Sequence, residues 1–158
     1  MYPEPNQQLT YQTDDTVYFF SHAYDPLNNW SAHAVVIWGH VFPTVEHAFQ
    51  WKKFADREPD IASAILRAPS PWEVIRLKKT IGRGRMPADW HDRRVTVMEE
   101  LLRAKAAQNE DVRVCLRVTG SRRIVENSPV ASFWAYGPDG EGENMMGNLW
   151  MKIREELQ

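Results

Sequence analysis

Helix-start signals dominate the chain from residue 43 onward, and they leave little room for other structure. Pro43-Thr44 precedes the run VEHAFQWKKFA, where the threonine oxygen can cap the free N–H groups of a first turn. Pro59 opens a second helix. Ser70-Pro71-Trp72-Glu73 opens a third: Ser70 is the cap, Pro71 takes the first helical position, and Glu73 closes a capping box. Gly82-Arg83-Gly84-Arg85 then breaks the pattern as a loop. The longest helix is predicted from near Trp90 to Gln108, with Val97, Met98, Leu101, Leu102 and Lys105 on one stripe. Asn109 can cap the next, which ends at Thr119-Gly120, because glycine suits the left-handed position after a helix. Residues 135–143, AYGPDGEGE, form a glycine-rich loop before a final helix from Asn144 to Leu157.

Strands fit only in the gaps. Val17 to Phe20 reads as one, and Arg123 to Glu126 as another. Residues 33–38, a Gly39-His40 turn and Val41-Phe42 read as a hairpin, with β-branched and aromatic residues flanking a glycine break. The expected fold class is therefore mainly α, a helical array with a few short β-strands. Residues 1–15 are polar, carry two prolines and read as a loose leader, which puts a single domain at 16–158. That length suits one domain, since domains most often run to roughly 100–150 residues.

Several function classes drop out on composition. A net charge of -2 gives no basic footprint of a dedicated DNA-binding module, although a local basic patch is compatible with it. Cys115 is the sole cysteine, so no internal disulfide forms. Neither a membrane span nor the apolar stretch of a signal peptide is present, and the expected location is the cytoplasm. No histidine and cysteine cluster has metal-site spacing, and no phosphate-cradle or nucleophile-elbow motif is seen. Neither a metal nor a cofactor is expected. Seven tryptophans are spread along the chain, most of them expected in the core.

The helix after Thr44 is the richest in chemistry. Glu46, Gln50 and Lys53 stand at i, i+4 and i+7 and share one face, over a rise of ~10.5 Å. A carboxylate, an amide and an amine in a row can grip a polyhydroxylated sugar. The carboxylate can activate water or steady an oxocarbenium-like centre; the amine can instead attack the anomeric carbon and form an imine. Spacing alone is equally that of a solvated face. His47 lies off the stripe and reads as a packing or hydrogen-bonding residue. The Gly82-to-Arg85 loop is either a phosphate grip, with arginine binding oxygens bidentately, or an exposed turn. Phe133-Trp134 before the glycine-rich loop, and Asn144 and Gly147 after it, could set rings and donors around a flat base, or simply anchor a surface turn. Glu126 is either buried and paired or exposed at a strand end.

An ordered set of motifs gives these options a context. P-T-V-E-H-A-F-Q-W-K-K-F (Pro43 to Phe54), A-P-S-P (Ala68 to Pro71), I-G-R (Ile81 to Arg83) and D-W (Asp89-Trp90) come first. V-M-E-E-L-L-R-A-K (Val97 to Lys105), T-G (Thr119-Gly120), I-V-E (Ile124 to Glu126), F-W (Phe133-Trp134) and G-E-N-M-M-G-N-L-W-M-K-I-R (Gly142 to Arg154) follow. Together they resemble the NADAR family and its YbiA-like N-glycosidase branch, over roughly residues 17–157. The resemblance implies a mainly helical YbiA-like fold and hydrolysis of a ribose–nitrogen bond. Two substrate classes come with it. One is ADP-ribose attached to guanine, which points to ADP-ribosylated DNA and a DNA-modifying toxin as functional counterpart. The other is the ribosylamino-pyrimidine phosphate intermediates of riboflavin biosynthesis.

By position, the resemblance makes Glu46 the acid/base or cation-stabilising residue and Lys53 the candidate imine-forming amine. Trp90 and Trp134 match tryptophans expected to line the site. Arg83 becomes a phosphate candidate and Asn144 a ribose or base contact, with Gln50 and Glu126 as further substrate-binding candidates. One departure stands out. YbiA-like enzymes carry an aspartate three residues before the second tryptophan, where this chain has Ala131, and a glycine after it, where this chain has Ala135. Losing one polar group from a catalytic set can cost ~10²–10⁴ in rate, and that shifts the expectation toward ADP-ribose release from guanine. A binding module that senses ADP-ribose without turnover is the alternative from another class.

Overall fold

The computed structural model describes residues 9–20 and 22–157, with residues 22–24 by backbone alone. In chain order its elements are β1 (Tyr11–Gln12), β2 (Thr16–Phe19), a 3-10 helix (His22–Leu27), β3 (Val35–Ile37) and β4 (His40–Phe42). Helices α1 (Val45–Phe54), α2 (Pro59–Leu66), α3 (Pro71–Lys79), α4 (Trp90–Gln108) and α5 (Glu110–Thr119) follow, then β5 (Arg123–Glu126) and α6 (Met145–Glu156). The chain is mainly α with a few short strands. Of the stretch expected as a leader, residues 1–8 lie outside the described residues, while Tyr11 and Gln12 pair with β2. No helix among the described residues is long and apolar enough to cross a membrane.

The elements fall into two compact units. One is continuous, Asn29–Gln108; the other joins the segment up to Asn28 with that from Asn109 onward.

In the discontinuous unit, β1 runs antiparallel to β2, and β2 runs parallel to β5, with Thr16 opposite Arg123 and Phe19 opposite Glu126. Val17, Phe19, Ile124 and Val125 are fully buried, as parallel strands covered by helices require. Helix α6 packs on β5 so closely that a Cβ on Gly147 would lie 2.1 Å from the Ile124 carbonyl oxygen, so only glycine fits. Asn109 occupies the N-cap position of α5 in extended backbone, but its side chain makes no cap bond. Gly120 ends that helix at φ +61° and ψ -132°, a positive φ outside the left-handed helical region expected of it. The buried Arg154 guanidinium donates to the Thr119 hydroxyl (2.8 Å) and the Arg122 carbonyl (2.7 Å), tying the last residue of α5 to the turn before β5.

The continuous unit is built by its start signals. Thr44 caps α1 by accepting from the His47 N–H. Ser70 caps α3 by accepting from the Glu73 N–H, whereas the Glu73 carboxylate pairs with Arg76. The His47 ring lies 2.9 Å from the Thr44 hydroxyl and 3.1 Å from the Ala68 carbonyl, tying the start of α1 to the α2–α3 connection. Phe54, Ile61, Ala62, Ile65, Ala68, Val74 and Leu77 form the core between α1, α2 and α3. The predicted α4 stripe is buried, including Lys105, whose amine donates to Ser31. The β3–β4 turn sits at Trp38-Gly39, one residue before its expected place. Both residues have positive φ (51° and 78°), as the tight hairpin turn compatible with strand twist demands.

Tryptophan departs from the expected core role. Trp90 and Trp150 are buried, Trp72 is exposed, and Trp30, Trp38, Trp51 and Trp134 are half-buried. So large a ring often covers the core from its edge rather than entering it.

Candidate active site

Helix α1 buries a row of polar side chains that a surface helix would leave in water. Glu46, Gln50 and Lys53 are 8%, 4% and 8% exposed. The Gln50 amide N–H donates to Glu46 Oε1 at 2.9 Å. Its other end, Oε1, is buried and accepts from no donor among the described residues. A buried acceptor left open costs free energy unless something else meets it, which makes this atom a marker for a ligand donor.

The electrostatics of the row are opposed. Burial pushes the Glu46 carboxyl above the usual carboxylate range, against the Gln50 hydrogen bond and the charges of Lys78 and Lys53. Burial also lowers the Lys53 amine to about 8; Lys78 and Arg94 lower it further, while Glu46 opposes them. No ion pair joins Lys53 to Glu46 among the described residues. The amine lies 5.5 Å from the Trp90 ring centre and 5.8 Å from that of Phe54. Trp90 itself is buried, tilted against Phe49 at 5.0 Å and covered by Arg93 at 5.6 Å. The unit thus gathers a carboxyl whose hold on its proton burial strengthens, an amine whose hold burial weakens, and an open amide acceptor. Those are the parts of acid-assisted nucleophilic displacement at a sugar carbon.

Arg83 lies outside that row. It is exposed on the loop after α3, and its Nε donates to the Lys79 carbonyl at 3.1 Å. Arg85, in the same loop, is held by Glu58 and Asp60. Lys78 and Arg94 are the residues that sequence reasoning missed, because they reach Lys53 from α3 and α4. A signal existed for Arg94, which stands one helical turn after Trp90 on the same face. Lys78 offered none.

Glu126, Trp134 and Asn144 belong to the discontinuous unit. The Asn144 carboxamide is 1% exposed and braces β5: Oδ1 accepts from the Glu126 N–H and Nδ2 donates to the Ile124 carbonyl, both at 2.9 Å. Its backbone is left-handed at φ 51°. Glu126 is half-buried at the end of the strand. Trp134, also half-buried, meets Phe133 edge to face at 4.9 Å, and its carbonyl accepts from the Met146 N–H at the start of α6. Ala135 is fully buried, and its carbonyl accepts from the Asn144 N–H.

Known proteins resemble this chain over nearly its whole length. Residues 10–158 match the NADAR domain. N-glycosidase YbiA of Shigella flexneri is 32% identical over 161 residues, covering 98% of this chain and 97% of that protein. A riboflavin biosynthesis protein of Vibrio vulnificus is 32% identical over 149 residues, covering 92% of this chain but 39% of that protein. The NMR structure of the Escherichia coli protein YbiA superposes with a TM-score of 0.77 at 30% identity, covering 94% of this chain and 88% of that one.

Proposed function

This chain belongs to the NADAR family, and from that premise we propose that its α1 pocket releases ADP-ribose from guanine in nucleic acid. At the coarser level it is a hydrolase acting on N-glycosyl bonds, as its relatives named N-glycosidase indicate. The observation that carries the pocket assignment is the buried Glu46–Gln50 pair beside Lys53, with Gln50 Oε1 left open.

In the proposed reaction, Gln50 Oε1 accepts from a ribose hydroxyl and sets the anomeric carbon toward Lys53. The neutral Lys53 amine forms a bond to that carbon as the bond to the base nitrogen breaks, and the Glu46 proton passes to the departing nitrogen. Loss of a proton from the attacking nitrogen and opening of the sugar ring give an imine. Water then hydrolyses the imine, returning Lys53 and freeing the sugar. An amine lowered to about 8 supports this route, since a useful fraction is neutral near pH 7. The partners that follow are ADP-ribosylated DNA and, as functional counterpart, the enzyme that modifies it. Such a substrate places the protein in the cytoplasm.

Ala131, where YbiA-like enzymes carry aspartate, supports guanine-linked ADP-ribose over the pyrimidine substrates. Similarity to the Vibrio riboflavin biosynthesis protein favours a second reading, cleavage of ribosylamino-pyrimidine phosphates. Incubation with ADP-ribosylated DNA and, separately, with the pyrimidine phosphates tests both. Release of ADP-ribose from DNA, abolished by Glu46→Gln, is expected; turnover of the pyrimidine phosphates alone would overturn the substrate assignment.

A further inference from the structure

We propose that Lys78, with Arg94 beside it, is the phosphoryl subsite of this pocket and takes the phosphate on the 5-oxygen of the substrate's ribose. The inference rests on the N-glycosidase reading of the Glu46 pocket. Lys78 and Arg94 both act on the Lys53 amine, and Lys78 and Lys53 on the Glu46 carboxyl; the turn at Gly82 lies against both the Lys78 backbone and the Phe54 ring, 5.8 Å from whose centre the Lys53 amine stands. Lys78 is half-buried on α3 and has no hydrogen bond or ion pair among the described residues. Like charges brought together where water is scarce repel, so a pocket that keeps them is matched to an anion. The open Gln50 Oε1 is an independent observation, and it asks for a donor. A 5-phosphorylated ribose supplies both, hydroxyl donors on the ring and a charged group on the oxygen of its exocyclic 5-carbon.

The remaining neighbours do not compete for that role. On α4, Arg93 lies over Trp90 and pairs with Asp89 at 3.1 Å. Helix α2 turns Ile61, Ala62 and Ile65 toward Phe54. Arg83, which the loop composition offered for phosphate, is exposed and bonded to the Lys79 carbonyl. Lysine serves well here as a point charge for phosphate, with arginine adding directed donors. Both substrate classes carry a phosphoryl group on the ribose 5-oxygen, as a monoester in one and as a diphosphate in the other. The subsite also couples to the amine, because an anion on Lys78 offsets the repulsion that Lys53 feels and strengthens its hold on a proton.

Calorimetry with ribose, ribose 5-phosphate and ADP-ribose reads the subsite without any turnover. Wild type is expected to bind the phosphorylated sugars more tightly than ribose, and Lys78→Ala to lose roughly tenfold or more for them. Ribose affinity should stay unchanged and Lys78→Arg should recover most of the loss. Preference for ribose 5-phosphate over ADP-ribose assigns a monoester, and the reverse a diphosphate; either upholds the subsite. Equal loss for ribose and its phosphates, or no loss, overturns it, as does failure of wild type to bind either phosphorylated sugar. In wild type, acylation of Lys53 read by mass spectrometry should slow when inorganic phosphate is added at constant ionic strength. Unchanged labelling would also overturn the proposal. A protein that binds through Lys78 but cleaves no N-glycosyl bond would sink the catalytic reading and leave the subsite standing.

Discussion

Asn144 and Gln50 are both buried carboxamides, and they differ in what remains open. Asn144 donates and accepts along β5, so both ends of its amide hold backbone. Gln50 donates to Glu46, while its oxygen meets no donor among the described residues. A buried polar group whose bonds are met by backbone is part of the frame. One left half open in a finished core calls for a molecule that is not the protein. The same contrast separates two cations: Arg154 is hydrogen-bonded to Thr119 and Arg122, while Lys53 stands among rings, two further cations and one carboxyl, with no hydrogen bond or ion pair among the described residues.

The sharpest way to break the comparison is at Glu46. Replacing it by glutamine keeps the shape and removes the acid, and turnover should fall ~10²–10⁴-fold with little change in melting temperature. A variant with wild-type turnover would make the α1 row an ordinary buried network.

Lys53 comes next. Borohydride should trap a sugar adduct on wild type and none on Lys53→Ala. Turnover should rise with pH through about 8 as the amine loses its proton. Stability follows the same group. The amine is lowered in the fold to about 8 from 10.5, so between these values the unfolded chain binds the extra proton. Stability attributable to Lys53 is therefore lowest below about 8 and rises toward 10.5, with a slope of at most about 1.4 kcal/mol per pH unit. Denaturant titrations of wild type and Lys53→Met should differ by that slope, and identical pH profiles would remove it.

Asn144→Ala should cost about 1–3 kcal/mol, because two backbone groups of β5 lose their partners. In a chain of this size that amounts to a melting point lower by ~2–4 °C per kcal/mol. Gln50→Met should shift melting less, by about 1 kcal/mol, since it gives up one hydrogen bond, to Glu46, where Asn144→Ala gives up two, yet raise KM. Should Gln50→Met destabilise as much as Asn144→Ala, the two amides would play the same part.

Much of the frame was legible because its signals are local. Thr44, Pro59, Ser70 and Pro71 mark starts that the structure keeps, and the α4 boundaries were read directly from its apolar stripe. Reading failed where neighbours far along the chain decide. Trp38 is driven to positive φ by the hairpin's twist, which moved the turn by one residue. The pairing of β2 with β5 leaves no mark in either strand. In the α1 row, spacing gave Glu46, Gln50 and Lys53 one face but not its burial; the cations that act on Lys53 come from α3 and α4, and only packing assembles them.

That parallel pairing also sets an order of events during synthesis. Thr16 waits roughly a hundred residues for Arg123, and contacts so distant in sequence form slowly. The Asn29–Gln108 unit is continuous and helix-rich, and its contacts are closer at hand. A chain emerging from the ribosome is thus expected to build the helices around Glu46 while β2 still presents an unpaired edge. The interval before β5 arrives is when this protein is most open to strand-mediated aggregation.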